Sequence, residues 1–208
     1  MMRGMAMVVA AVAACVVSGL VPGGDLAAWQ RGATTKPRVV TRPQPAVCAS
    51  DLGAGVKTRR RFCDVIIATT PADSIAMTLP ARTGTAAIMF DLHNRFTVPP
   101  PKTAPAQAFT SETAVVAIVR STGDVIERAV VSREYRTPAD LFDRLAGANA
   151  TAPGQGVPVR ITVPAGVTAI GLVGVRLEEW KASGRGAFAT PRRSIALASN
   201  FRLEFTPR

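Results

Sequence analysis

From residue 62 to residue 205 the apolar side chains of this chain fall in short runs, several of them with a period of two. Residues 62–68 carry Phe62, Val65, Ile66 and Ile67, and residues 75–79 set Ile75, Met77 and Leu79 against Ala76 and Thr78. Residues 86–96 alternate Ile88, Phe90 and Leu92 with Met89, Asp91 and His93. A period of two sends successive side chains to opposite faces, so each run predicts a strand with one buried and one wetter face. Pro80-Ala81-Arg82-Thr83-Gly84 lies between the second and third runs and predicts that they form a hairpin. Residues 113–120 and 125–136 are a further pair, joined by Ser121-Thr122-Gly123-Asp124, where Gly123 can take the positive φ of a tight turn. Strands over 159–163, 170–180 and 195–205 complete the pattern.

The signals between the strands are of other kinds. Pro99-Pro100-Pro101 opens a loop that cannot donate a regular ladder of hydrogen bonds. Thr137 can cap a helix, Pro138 suits its first position, Asp140 fits a capping box, and Leu141, Phe142 and Leu145 share a face before Gly147. This predicts one short helix, plugging an open end of the fold. Residues 148–156 are a loop of small residues. Met77-Thr78-Leu79-Pro80-Ala81 resembles Ile161-Thr162-Val163-Pro164-Ala165, which reads as one hairpin chemistry used twice. About eight strands and one helix predict an all-β fold, an antiparallel β-sandwich of immunoglobulin-like or jelly-roll type.

The N-terminus follows a different pattern. Arg3 precedes an almost unbroken apolar run over residues 5–21, and Pro22-Gly23-Gly24-Asp25 follows. A short basic start, an apolar stretch and small residues with a helix breaker are the layout of an export signal. The run falls just short of the ~20 residues needed to span a bilayer. Residues 1–24 are therefore expected to be an export segment, and the mature protein periplasmic or secreted. Val12-Ala13-Ala14-Cys15 resembles the lipobox of bacterial lipoproteins, which implies an alternative in which Cys15 is lipidated and anchors the chain. Residues 25–47, with Pro37, Pro43 and Pro45 among basic and polar residues, read as a tether, and 48–208 as a single domain. With the signal removed roughly 180 residues remain, enough for one real core.

Export gives the cysteines a meaning. Without Cys15 an even pair is left, Cys48 and Cys63, and a turn-rich stretch, Asp51-Leu52-Gly53-Ala54-Gly55, lies between them. In an oxidising compartment such a pair is expected to form a disulfide. The formal charge of +11 suggests a polyanion partner. Against nucleic acid stand the dispersal of the arginines and the export segment. The dense cluster is Lys57-Thr58-Arg59-Arg60-Arg61, so Arg59, Arg60 and Arg61 are the candidate contacts for an acidic glycan or lipid phosphate. Membrane contact is expected only through the signal or a lipid on Cys15.

Candidate chemistry is sparse. His93 is the single histidine and shares a strand face with Asp91 and Arg95, which makes that face the first place to look for a polar site. No Gly-x-Ser-x-Gly elbow accompanies it. Glu178 and Glu179 are adjacent, so on a strand they face opposite sides and make a poor glycosidase pair, with Glu134 the other candidate. Two cysteines and one histidine do not supply a zinc site, and no calcium loop is present. No cofactor is expected. Trp180, before Lys181-Ala182-Ser183-Gly184, is a candidate rim aromatic for a sugar. The function these readings predict is a non-enzymatic exported module of the cell envelope, whose partner is an envelope protein or an acidic glycan. A hydrolase centred on Asp91 and His93 is the minor alternative.

Overall fold

The computed structural model describes residues 38–68, 70–98, 109–147 and 150–208. The export segment, Cys15, the start of the tether and the triple-proline loop lie outside the described residues. The rest is an all-β sandwich of two antiparallel sheets. One sheet has seven strands: β1 (Val40–Pro43), β2 (Asp51–Ala54), β3 (Arg61–Ile66), β5 (Arg82–Thr97), β8 (Thr151–Pro153), β9 (Val157–Val163) and β12 (Ser194–Pro207). The other has five: β4 (Ile75–Thr78), β6 (Thr110–Arg120), β7 (Val125–Tyr135), β10 (Ala169–Lys181) and β11 (Gly184–Phe188). β12 and β5 are the centre of the first sheet, and β10 and β6 the centre of the second.

The period-two pattern sets which face is buried. Ile88, Phe90 and Leu92 of β5, Ala196, Ala198 and Leu203 of β12, and Ala114, Val116 and Ile118 of β6 all enter one core. Burying each large side chain of this set stabilises the fold by roughly 1.5–3 kcal/mol. The β6–β7 hairpin forms as expected: Gly123 turns at φ +93° and its N–H donates to Arg120 O at 2.9 Å.

The expected hairpin of residues 75–79 and 86–96 does not form. β4 pairs with β10 in the five-stranded sheet, whereas β5 lies in the seven-stranded one. The chain crosses the core edge at Leu79-Pro80-Ala81, and it crosses back at Val163-Pro164-Ala165 between β9 and β10. The repeated apolar-Thr-apolar-Pro-Ala pattern therefore marks sheet-to-sheet crossovers. Each crossover ends its strand at a proline, which cannot donate to a ladder. The two meet where Arg82 Nη2 donates to Pro164 O at 2.9 Å.

The expected helix is also absent. Pro138–Asp140 makes one 3₁₀ turn, and the chain then runs extended from Leu141. The capping chemistry is present, since the Asp140 carboxylate accepts from Thr137 N at 2.7 Å and Arg136 N at 2.8 Å. Tertiary bonding overrides propagation of the helix. Phe142 N donates to Pro153 O, Ala146 N to Ala54 O, and Arg144 O accepts from Val56 N. Leu145 packs on Phe62 and Leu197, with Phe142 and Leu52 beside them. Residues 141–147 are thus a strap across the outer face of the seven-stranded sheet, not a plug in the end of the sandwich.

Candidate functional site

Asp91, His93 and Arg95 do share the outer face of β5, as alternation requires, but they do not form one site. His93 is completely buried under the strap, its ring 5.1 Å from that of Phe142 and 5.3 Å from that of Phe62, centroid to centroid. Its Nδ1 lies 2.9 Å from Gly154 O, an oxygen that only accepts, so Nδ1 carries the hydrogen. Nε2 is then the acceptor for the Ser199 hydroxyl at 3.1 Å. A Cβ on Gly156 would come within 2.6 Å of His93 Cε1, so the absence of a side chain there lets the chain close over the ring. Burial pulls the imidazole below its ordinary pKa; the Gly154 bond and the Asp91 charge oppose this and Arg60 assists it.

A serine bonded to a histidine is nucleophile–base geometry. Here both side chains have no exposed surface, so no substrate atom reaches Ser199 Oγ. The stability that neutral His93 supports is present above its ordinary pKa of 6.5 and is lost as pH falls below it. His93→Gln is expected to flatten that acid-side loss, as urea denaturation at about pH 5 and 7 would show.

Asp91 turns instead to Arg60 Nη1 at 2.7 Å and Asn200 Nδ2 at 3.0 Å. Asn200 sits at φ +57°, in the register shift between Ser199 and Arg202 that bulges β12. Arg95 Nε lies 3.4 Å from Asp64 Oδ1, and Asp64 also accepts from Ser194 Oγ at 2.7 Å. Burial raises the Asp64 pKa, opposed by Ser194 and then Arg95.

The basic cluster faces solvent, with two of its arginines held by carboxylates. Arg60 also lies over the Phe142 ring at 5.3 Å, Arg61 is paired with Asp51, and Arg59 stands exposed at φ +59°. Asp143 holds the loop in place: it accepts from Thr58 Oγ1 at 2.6 Å, Thr58 N at 2.8 Å, Lys57 N at 3.0 Å and Arg144 N at 2.7 Å. Arg60 and Arg61 also line a cleft of about 390 Å³ beside the Cys48–Cys63 disulfide, with Gln44 and Asn200. The bridge joins Cα atoms 5.4 Å apart and ties the segment before β2 to β3. β1, inside the stretch that reads as a tether, pairs with β12, and Val47 bridges to Ala76.

Trp180 lies elsewhere, on the outer face of the five-stranded sheet. Register places it opposite Ser111 on one side and Arg185 on the other, with Glu134 beyond Ser111. The next row on that face is Glu178, Thr113 and Ser132. Thr113 Oγ1 and Ser132 Oγ are 2.8 Å apart. Glu178 is held by Arg185 Nη2 at 3.1 Å and Arg176 Nη2 at 3.4 Å. Glu179 is held by Lys181 Nζ at 2.7 Å. The Arg185 guanidinium lies 5.8 Å from the centre of the Trp180 ring. Ser111, Thr113, Glu178, Glu179, Trp180 and Arg185 line an open cavity of about 220 Å³. The residues after Trp180 form the tight β10–β11 turn. Among the described residues, no group of three or more His, Cys, Asp or Glu side chains gathers to hold a metal, and no helix is long and apolar enough to cross a membrane.

The fold and these two faces define an antiparallel β-sandwich with a strapped, disulfide-tied outer sheet and an open polar groove on the other. No family model matches the chain, and the comparison with curated proteins found no match. Among solved structures it is similar to the K1 cleaved adhesin domain of Lys-gingipain from Porphyromonas gingivalis W83, with 8% identity and a TM-score of 0.32 over 82% of this chain and 99% of that one. It is also similar to the VP2 subviral particle of infectious bursal disease virus, with 12% identity and a TM-score of 0.26 over 83% of this chain and 33% of that one. The chain thus spans about a third of the viral protein. These likenesses are confined to β-rich architecture and carry no argument about activity.

Proposed function

We propose that this chain is an exported module of the cell envelope that works by binding rather than by turnover. The observation that carries the reading is the Cys48–Cys63 bridge in a chain whose remaining cysteine lies within the apolar N-terminal run. Disulfides persist in oxidising compartments and are rare in reducing ones, which fits a protein released to the periplasm or beyond it. The alternative placement, a lipoprotein anchored through Cys15, is supported by the same bridge. Binding over turnover is supported by the use made of His93, whose two nitrogens are spent on Gly154 and Ser199 inside the fold. The polyanion reading is weakened by the engagement of Arg60 and Arg61 with Asp91 and Asp51.

The test is the intact mass of the protein from fractionated cells, with and without reduction. A chain starting between residues 20 and 29, and about two daltons lighter than its reduced form, is the expected result. A lipidated species starting at Cys15 selects the anchored form. An uncleaved, reduced protein in the cytosol would sink the proposal. Cys48→Ala with Cys63→Ala is expected to destabilise the domain by about 3 kcal/mol, the chain-entropy value for a loop of this length, as chemical denaturation would read.

A further inference from the structure

We propose that the outer face of the five-stranded sheet, at its Trp180 end, binds the pyranose rings of a neutral hexose glycan. This rests on the binding-module reading and names the ligand class for it. Trp180 is 57% exposed, far more than a tryptophan that closes a core edge. Its indole stands on the solvent face of the sheet, and the neighbouring positions in both directions, Ser111 and Arg185, carry polar groups rather than apolar ones. A sugar ring has the matching character: an apolar face of C–H bonds that stacks on an aromatic ring, edged by hydroxyls that both donate and accept. Across the sheet lie the hydroxyls of Ser111, Thr113 and Ser132. Beside them Glu178 is fixed by two guanidinium groups. An ion-paired carboxylate and guanidinium offer acceptors and donors in a set plane, the pattern that neighbouring sugar hydroxyls need.

Charge and size select within the sugars. Each acid on this part of the sheet has its own basic partner: Glu178 with Arg176 and Arg185, Glu179 with Lys181, and Glu134 with Arg136. The three acids and four bases named sum to +1 on a chain of net charge +11, and each of those bases is ion-paired, so this end of the sheet lacks the dense positive charge that would recruit a polyanion. A cavity of about 220 Å³ is small beside the roughly 300–1,000 Å³ of pockets for drug-sized ligands, and suits one ring at a time of a longer chain. The groove is open, so a polymer can enter and leave along the sheet.

The test uses the processed protein carrying Trp29→Phe, so that Trp180 is the fluorescent reporter. Soluble β-glucan and α-mannan are the probes, and heparin is the anionic control. Expected are a saturable shift of Trp180 emission with at least one neutral glycan, and an affinity that changes by less than about twofold from low to high salt. With binding followed by calorimetry, Trp180→Ala should weaken it by about tenfold or more, and Glu178→Gln by about fivefold. Circular dichroism checks that the variants keep the fold, and Ser111→Ala is the milder substitution if either does not. Absence of binding to both neutral glycans would overturn the proposal. So would salt-sensitive binding to heparin alone, binding unaffected by Trp180→Ala, or self-association through this face that Trp180→Ala abolishes. Loss of the glycan result leaves the mass and disulfide tests of export standing, and failure of those tests leaves glycan binding measurable on the purified chain.

Discussion

Replacing Asp143 by alanine is expected to cost roughly 4 kcal/mol, a lowering of Tm by about 8–16 °C, because one buried carboxylate closes two segments of chain. Asp143 is 6% exposed and accepts four hydrogen bonds, three of them from Lys57 and Thr58, some 85 residues earlier in the chain. Alanine leaves the N–H groups of Lys57 and Thr58 without their acceptor and frees both the basic loop and the strap. Arg60 then loses its footing on Phe142 and Asp91, and His93 loses its cover. Burial pushes the Asp143 carboxyl up, but the Thr58 hydroxyl and the Lys57, Thr58 and Arg144 N–H groups outweigh it and bring its pKa down to about 2. A depressed folded-state pKa means that this stabilisation is complete above the ordinary value of 3.8 and is lost as pH falls toward 2. The alanine variant should therefore also lose part of the acid-side slope of the wild-type stability curve. Urea denaturation at about pH 7 and pH 3 measures both effects, and limited proteolysis should cut near the strap. A loss below about 1 kcal/mol with an unchanged slope would show that the strap is held by its apolar contacts alone.

The long strands were legible because a period of two needs only a buried face and a wet one. Eight runs predicted as strands, some alternating and some continuously apolar, are present as β3 to β7, β9, β10 and β12. β1, β2, β8 and β11 have three to five residues each, carry little apolar pattern, and exist because longer strands offer them an edge. Pairing partners could not be read. Pro80 and Pro164 look like turn residues whether the chain doubles back within a sheet or crosses to the other, and only the packing of Ile75 and Met77 against the opposite sheet decides. The helix signal over 137–145 was real at its cap and failed one turn later, since the bonding partners of residues 142–146 come from β2, the loop after it and β8. The face of Asp91, His93 and Arg95 followed from alternation, but the assignment of each side chain to a different partner did not. Ser199 and Asn200 left a sequence trace: two adjacent polar residues separate the apolar run Ile195-Ala196-Leu197-Ala198 from the alternating Phe201, Leu203 and Phe205, and an asparagine there marks a bulge with positive φ. Asp143 left no such trace. Trp180 stands exposed on the outer face of its sheet, and Ser111 and Thr113 joined it through register alone.

Glu112 also stood in plain view, two positions before Ala114 in the series Ala114, Val116, Ile118 that faces the core, and alternation places it inside. Glu112→Gln is expected to stabilise the domain above about pH 8 by on the order of 2–4 kcal/mol, with the gain vanishing in acid. The side chain is 5% exposed, and its Oε2 has no hydrogen-bond partner among the described residues. Burial, and next the charge of Glu179 directly across on β10, push its pKa up to about 8, while Lys181, Arg95 and Arg193 pull it back. The folded state therefore holds a proton that the unfolded chain releases near 4.5. Between those values the native state binds more protons than the unfolded one, so stability declines as pH rises and is lowest once the carboxylate is charged. Glutamine keeps the shape and the donor of the neutral acid but cannot ionise. Asp64, raised in the same direction by its own burial, leaves a residual slope in the variant at lower pH, and His93 contributes one of opposite sign below 6.5. The difference between the two proteins isolates Glu112. Urea denaturation of both from about pH 4 to pH 9 should give curves that coincide in acid and diverge through neutrality. Parallel curves would mean that Lys181, Arg95 and Arg193 hold Glu112 charged throughout, and the end of the sandwich beneath Trp180 would then be stabilised by an ion network rather than by a neutral acid.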